Sequence, residues 1–277
     1  MNNLNSQNIA FIGAGNMSQA IIRGLLQAGT PAERICASAP SAKTRDKVQA
    51  EFGIRCYSSN RDACAQASII LLGVKPQRMQ EVCNDIRAHL AHKPLIISVA
   101  AGINNTSLQD WLGIHAIVRC MPNTPSAIGL GASGYFCNAQ VSGEQADLTD
   151  AILSSIGVSQ RVDEEHLIDA VTAVSGSAPA YFFLFLEAMA NAGEALGLPH
   201  DTASKLAIQT ALGAATLAQN SDVDVTELRK RVTSPKGTTE QAILSFQQNN
   251  LDDIVKQAMQ ACANRAQELS LELGSKS

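Results

Sequence analysis

Residues 9–18 read Ile-Ala-Phe-Ile-Gly-Ala-Gly-Asn-Met-Ser. A short apolar run enters a glycine turn, and a helix-patterned run, Met17–Ala28, follows at once and closes at Gly29. Gly13 permits a tight turn, and Gly15 lets the backbone come close to a ligand. The N–H groups at the start of the following helix carry partial positive charge and suit a pyrophosphate. A glycine turn alone is common. The order strand, turn, helix is what marks a dinucleotide-binding fingerprint. The third fingerprint position, usually Gly or Ala, is Ser18, which is still small enough for close helix–strand packing.

The next 150 residues repeat the alternation. Strand-like runs fall at 8–12, 34–38, 54–56, 68–74, 95–99, 116–120 and 133–138, with helical patterns such as 43–52 and 77–91 between most of them. Uninterrupted apolar runs such as Ile69-Ile70-Leu71-Leu72 suit a parallel sheet covered on both faces. The alternation implies a doubly wound, Rossmann-type α/β domain over residues 1–162. Beyond it the strand pattern stops, and residues 163–277 read as helices only, with Asp201 as the N-cap of one of them. In that half the apolar stripe Tyr181, Phe182, Phe183 and Phe185 reads as a buried core helix. The alanine-rich stretch 211–218 reads as a close helix–helix contact.

The 277 residues are enough for two domains, and the net charge of −4 gives no basic patch for nucleic acid. The longest clear apolar block, 178–186, is short of the ~18 residues that span a bilayer, and the polar, uncharged Met1–Asn8 does not match a secretory signal. Seven scattered cysteines without CxxC spacing fit reduced thiols in a cytoplasm, with no metal site.

An NAD-selective fold places an acid after its second strand, against the ribose hydroxyls. Here that position reads Ala37-Ser38-Ala39-Pro40-Ser41, with Glu33 before the strand and Asp46 inside the next helix. Ser38 and Ser41 offer hydroxyls, and Lys43 and Arg45 offer charge, a surface that favours the 2′-phosphate of NADP(H) over NAD(H). Three further segments fall at strand carboxyl ends, where open α/β sheets bind ligands: Gly73-Val74-Lys75-Pro76, Ala100-Ala101-Gly102, and Met121-Pro122-Asn123-Thr124-Pro125. In the helical half, Ser175-Gly176-Ser177-Ala178-Pro179 and Thr233-Ser234-Pro235-Lys236-Gly237-Thr238-Thr239 read as two polar loops, each opening a helix with Ser177 or Thr238 as its cap. Two such loops without a strong acid or base point to a small anionic substrate held by hydroxyls and backbone amides.

The segments FIGAGNM, GVKP, AAG, MPNTP, AVSGSAPAY and VTSPKGTT occur in this order over nearly the whole chain, and on them the sequence resembles the pyrroline-5-carboxylate reductase family. The departure is Lys236, where the family usually has a second glycine. The resemblance implies NAD(P)H-dependent reduction of a cyclic imine to L-proline, the last step of proline synthesis. It also implies homodimers built from the helical half, sometimes assembled into rings. It carries cofactor contacts to Ile12, Gly13, Ala14, Gly15, Asn16, Met17, Ser38, Ser41, Asn60, Val74, Lys75, Pro76 and Ala101. Substrate contacts fall on Glu165, Ser234, Gly237, Thr238 and Thr239, with Thr239 as the catalytic hydroxyl. A rival reading, a β-hydroxyacid dehydrogenase, needs a catalytic lysine in the helical half, where Lys205, Lys230 and Lys236 stand.

Overall fold

The carboxyl end of the first strand and the loops beside it take their positions from one mostly parallel sheet. In this computed structural model, which describes residues 3–274, the chain opens with β1 (Ile9–Ile12), α1 (Asn16–Gln27), β2 (Ile35–Ser38), α2 (Ala42–Phe52), β3 (Arg55–Tyr57) and α3 (Asn60–Cys64). It continues through β4 (Ile69–Leu72), α4 (Met79–Ile86), β5 (Leu95–Ser98), α5 (Asn105–Leu112), β6 (Ile117–Met121), β7 (Gly131–Cys137), α6 (Gly143–Ser154) and β8 (Gly157–Arg161). The strand order is β3-β2-β1-β4-β5-β6-β7-β8. Every pair is parallel except β6 with β7. The order reverses between β1 and β4, which opens a crevice at their carboxyl ends.

The apolar runs explain the layers. Successive side chains of a strand point to opposite faces. Ile9 and Phe11 of β1 join Ile69 and Leu71 of β4 in one buried cluster. Ala10 and Ile12 join Ile70 and Leu72 in the other. The seven strand-like runs read from sequence all carry strands. The eighth, β8, was not legible: Gly-Val-Ser-Gln-Arg sits at the sheet edge, with Val158, Gln160 and Arg161 exposed.

Two compact units make up the chain, residues 1–177 with 261–277, and residues 178–260. The change from strands to helices follows β8, close to the expected cut at 162/163, but the compact units divide later, and the chain returns to the first unit at 261. Local packing explains this. α7 (Leu167–Val171) lies so close to β7 that a Cβ on Gly134 would come within 2.5 Å of Val171 Cγ1. Near the other end of the chain, Leu273 packs against the second core cluster. A Cβ on Gly102 would meet Leu269 and Leu273 at 3.2 Å.

Residues 172–176 form a π-helical turn, and Ser177 N–H donates to the Thr172 carbonyl at 2.8 Å. The Ser-Gly-Ser-Ala-Pro segment is therefore a wide helical turn running into α8 (Ala178–Ala195), with Ser177 helical, and not a loop with a capped helix start. By length and composition the stretch Leu167–Ala195 is apolar enough to cross a membrane, a property that reading the apolar block alone had excluded.

The second unit holds α8, α9 (His200–Gln219), α10 (Val225–Arg231), α11 (Thr238–Gln248) and the first part of α12 (Leu251–Gly274). α9 starts after Pro199, so Asp201 lies in its first turn and is not its cap. Among the described residues of this unit, the buried hydrophobic side chains are all alanines: Ala178, Ala190, Ala203 and Ala207. Phe182 and Phe183 are 66% and 65% exposed, and Phe185, Leu206, Leu212 and Phe246 are exposed too. Of the stripe read as a buried core helix, Tyr181 is half-buried and the three phenylalanines are uncovered within one chain. Periodicity registers that a helix is apolar all round and not which molecule covers it.

The tightness of the first unit gives a sign test. Alanine is worth about 1 kcal/mol over glycine inside a helix. At Gly24 in α1, however, a Cβ would lie 2.4 Å from the Ser155 carbonyl oxygen and 2.9 Å from Ile156 Cγ2. Gly24→Ala is expected to lower the unfolding free energy by about 1–3 kcal/mol, measured by urea denaturation of the full chain.

Candidate dinucleotide crevice and substrate loop

The turn after β1 is set by three residues in close approach. Gly13 has φ +93°, a conformation costly for any residue with a side chain. A Cβ on it would lie 2.8 Å from Val74 Cγ1. Ser18 is fully buried, and its hydroxyl donates to the Gly13 carbonyl at 2.6 Å. The same hydroxyl sits over Gly73, where a Cβ would be 2.1 Å from Ser18 Oγ. The unusual third fingerprint residue therefore ties β1, α1 and the end of β4 together.

Gly15 is different. It is the N-cap of α1 in extended conformation, and a Cβ on it would meet only the Gly73 carbonyl oxygen at 3.8 Å. The fold does not need a glycine there. No side chain caps α1, so the first N–H groups of the helix, from Asn16 and Met17 onward, have no intrahelical acceptor. Gly15 and Asn16 are solvent-exposed, Met17 is half-buried, and Ile12 and Ala14 are buried beneath them. This open cradle with uncapped donors fits a pyrophosphate.

At the end of β2 the sequence reading needs one correction. Ser38 is only 1% exposed, and its hydroxyl donates to Asn60 Oδ1 at 2.8 Å. It braces the turn and is not free for a phosphate. The same bond brings in Asn60, one of the cofactor contacts implied by the resemblance. Ser41 is exposed at the N-cap of α2 and makes no capping bond, so its hydroxyl remains unused by the helix. Arg45 Nη1 donates to the carbonyls of Ala39 and Pro40 at 2.7 and 2.8 Å, which holds a permanent positive charge on that turn. Lys43 is exposed beside it. Val74, Lys75, Pro76 and Ala101 lie at the ends of β4 and β5, with Lys75 and Ala101 exposed.

Sequence reasoning missed a buried charge cluster in the same unit. Arg119 of β6 is 5% exposed and faces Glu165 and Asp169. Glu165, implied by the resemblance as a substrate contact, accepts the Asn105 N–H at 2.7 Å with the oxygen that faces Arg119. Two residues along from Met121, Asn123 accepts the Ala132 N–H at 2.9 Å and donates to the Ser175 carbonyl at 3.1 Å. The signal was present as alternate residues, 119, 121 and 123, on one face of a strand and its extension. A lone arginine in an apolar run did not reveal its partners.

In the second unit the loop before α11 keeps its predicted character with a shifted cap. Gly237 is the N-cap and makes no side-chain capping bond; Thr238 and Thr239 are the first two helical residues, both exposed. Their N–H groups have no intrahelical acceptor. Gly237 N–H donates to the Ser234 carbonyl at 3.0 Å, closing the turn. Lys236 adopts φ +59°, and its N–H donates to Glu240 Oε2 at 2.7 Å. The loop thus presents three hydroxyls and a row of free amides, which suits a small carboxylate.

Burial pushes the thiols of Cys64 and Cys83 up to about 12, and all seven cysteines are free. Among the described residues no three His, Cys, Asp or Glu side chains gather as metal ligands. His166 is exposed and paired with Glu164 at 3.2 Å.

Comparison with known proteins completes the assignment. The pyrroline-5-carboxylate reductase dimerisation family matches residues 165–269, and the NADP oxidoreductase, coenzyme F420-dependent family matches residues 8–102. A pyrroline-5-carboxylate reductase of Pseudomonas aeruginosa is 51% identical, covering 98% of this chain and 100% of the relative. The chain belongs to the pyrroline-5-carboxylate reductase family. A solved member from Coxiella burnetii superposes with a TM-score of 0.93 at 41% identity, over 95% of this chain and 98% of that one. A Plasmodium falciparum pyrroline carboxylate reductase, solved with NADP bound, gives a TM-score of 0.83 at 29% identity, over 98% and 99%. Full-length correspondence to reductases decides against the hydroxyacid dehydrogenase reading.

The two crevice glycines separate fold from ligand. Gly13→Ala is expected to destabilise the protein by about 1–2 kcal/mol through its left-handed φ. Gly15→Ala is expected to leave the thermal midpoint unchanged and to weaken NADPH binding about tenfold, which is ~1.4 kcal/mol. Thermal melts and NADPH titration of both variants check the pair.

Proposed function

We propose that the protein reduces 1-pyrroline-5-carboxylate to L-proline with NADPH as the preferred donor, as the last step of proline synthesis. The observation that carries this is the pairing of an uncapped dinucleotide cradle with a hydroxyl-rich, uncapped helix start, in a chain whose full-length relatives are pyrroline-5-carboxylate reductases. Ile12–Met17 and Val74–Pro76 hold the dinucleotide phosphates and ribose, and Ala101 leaves room beside them. Ser41 with the Arg45-charged turn receives the 2′-phosphate, and the absence of an acid there removes the repulsion an NAD-selective site would impose. Ser38 and Asn60 act there by bracing the turn through their mutual bond.

NADPH when bound supplies a hydride. The chain's own residues bind and orient the acceptor. The N–H groups of Thr238 and Thr239 hold the substrate carboxylate, where the helix dipole favours negative charge. Ser234 and Gly237 shape that turn. Thr239 Oγ accepts a hydrogen bond from the protonated ring nitrogen, which keeps that proton as hydride adds to the neighbouring carbon. A protonated imine is already electrophilic at carbon, so the site needs orientation more than a strong acid. No histidine is required for this role.

The active species is a homodimer built from the helical half, residues 163–277. Burying a Phe or Leu side chain is worth about 1.5–3 kcal/mol. The exposed Phe182, Phe183, Phe185, Leu206 and Leu212 therefore favour cover by a second copy. The same argument covers the apolar stretch 167–195 without a membrane, since its first part is already packed on β6 and β7. A ring of such dimers is the larger assembly this surface supports. Free, largely buried thiols favour a reducing cytoplasm.

Steady-state assays with pyrroline-5-carboxylate are expected to give a higher kcat/KM with NADPH than with NADH; an inactive protein would end the reading. Thr239→Ala is expected to keep NADPH binding and lose about a hundredfold in kcat, so unchanged turnover removes that role. Phe183→Glu is expected to shift the protein to monomers in sedimentation velocity.

A further inference from the structure

Lys236 carries the only charge in the loop Thr233–Thr239, and the chemistry described above makes no use of it. It is exposed and sits at φ +59°, in the left-handed region where a side chain is strained. A strained residue that persists in a ligand loop points to a use for its side chain. Its main-chain N–H is taken by Glu240 Oε2 at 2.7 Å. Among the described residues, no carboxylate forms an ion pair with its ammonium.

The preceding helix end adds to this charge. Residues 229–239 hold Arg229, Lys230, Arg231 and Lys236 and no carboxylate, in a chain of net charge −4. Basic residues are common in the last turn of a helix, where they face free carbonyls. Here those carbonyls have other partners. Thr233 N–H donates to the Lys230 carbonyl at 3.0 Å, and the Thr233 hydroxyl donates to the Arg229 carbonyl at 2.6 Å. Thr233 thus closes α10, and the basic side chains are not needed as its cap. Arg231 pairs with Glu227 at 3.1 Å; the other three cations have no such pair among the described residues.

We propose that Lys236 is a specificity-determining residue of the substrate loop: its ammonium, backed by the basic end of α10, draws a monocarboxylate onto the Thr238 and Thr239 amides and helps to hold it there. This rests on the reductase reading, which seats the substrate carboxylate on those amides. Lys236 lies two residues before Thr238, and its flexible four-carbon stem carries the charge across that span. Both charges face solvent, so the attraction is worth only a few-fold in affinity and fades with salt. It also acts on encounter, because a positive field steers an anion toward the loop. The amides fix where the carboxylate sits, and the lysine sets how readily an anion reaches them.

Lys236→Gly removes the charge without disturbing the turn, because glycine adopts the left-handed backbone freely and keeps the N–H that Glu240 accepts. Thermal melts of the full chain are expected to show no loss of stability. At low ionic strength the variant is expected to raise the KM for pyrroline-5-carboxylate about threefold. The inhibition constant of cyclopentanecarboxylate, a ring carboxylate with no nitrogen, is expected to rise by about the same factor. The kcat is expected to stay within about twofold and the KM for NADPH to stay unchanged. Wild-type kcat/KM is expected to fall more steeply with added salt, and the two proteins to converge near ~1 M, where the Debye length is about 3 Å. Lys236→Arg is expected to match the wild type, and Lys236→Asn, neutral and tolerant of the left-handed region, to match Lys236→Gly. Equal KM, inhibition constant and salt dependence in wild type and Lys236→Gly overturn the proposal, as does a Lys236→Asn protein that behaves as wild type. Wild-type protein that turns over no pyrroline-5-carboxylate overturns the reductase reading instead. Calorimetric titration of cyclopentanecarboxylate into the NADPH-saturated wild type and Lys236→Gly then still decides the role of the lysine, with equal affinities counting against it.

Discussion

The fold hangs on a contact smaller than any helix, the seat of Ser18 against Gly13 and Gly73. The hydroxyl donates to one glycine carbonyl and lies where the other's side chain would be. This lets β1 and β4 end side by side at the point where the strand order reverses, and it points the first N–H groups of α1 at solvent. A larger residue at 18 or at 73 would push the α1 start away from the β4 end. A Ser in place of the usual Gly or Ala adds a hydrogen bond to what is otherwise only a close approach.

The second unit obeys the opposite constraint. Among the described residues its buried hydrophobic side chains are all alanines, so it lacks the apolar core that a free-standing helical domain needs. Large exposed apolar faces on a monomer mark an interaction surface. In the proposed dimer, the substrate loop before α11 is carried by helices whose stability comes from the partner, so association and substrate binding are linked. The first unit, with its two-layered core, carries the dinucleotide crevice without such help.

What could be read from sequence follows from what each signal measures. Uninterrupted apolar runs located the strands of the buried sheet, while the edge strand β8 gave none. The glycines after β1 marked a dinucleotide turn, and the missing acid after β2 gave the expectation of NADP(H) that the proposed function carries forward. The polar Ser175–Pro179 segment misled because serine and glycine mark loops and also wide helical turns; only the Ser177 to Thr172 bond separates the two. Ser38 misled for a related reason. A hydroxyl at a strand end looks available until its neighbour is known, and Asn60, twenty-two residues on, had already claimed it.

Lys236 brings these threads together. At this position the resemblance expects a glycine, and the backbone is left-handed, with φ +59°. The loop has therefore kept the geometry that a glycine would adopt and carries a side chain in spite of it, at a cost of about 1–2 kcal/mol. The compensation is local. Glu240, three residues past the N-cap, reaches back to the Lys236 N–H at 2.7 Å and fixes the entry into α11. That bond satisfies a donor outside the helix and leaves those of Thr238 and Thr239 free. The departure from the family pattern thus changes the side chain and its charge, while the row of amides that the proposed chemistry needs stays in place.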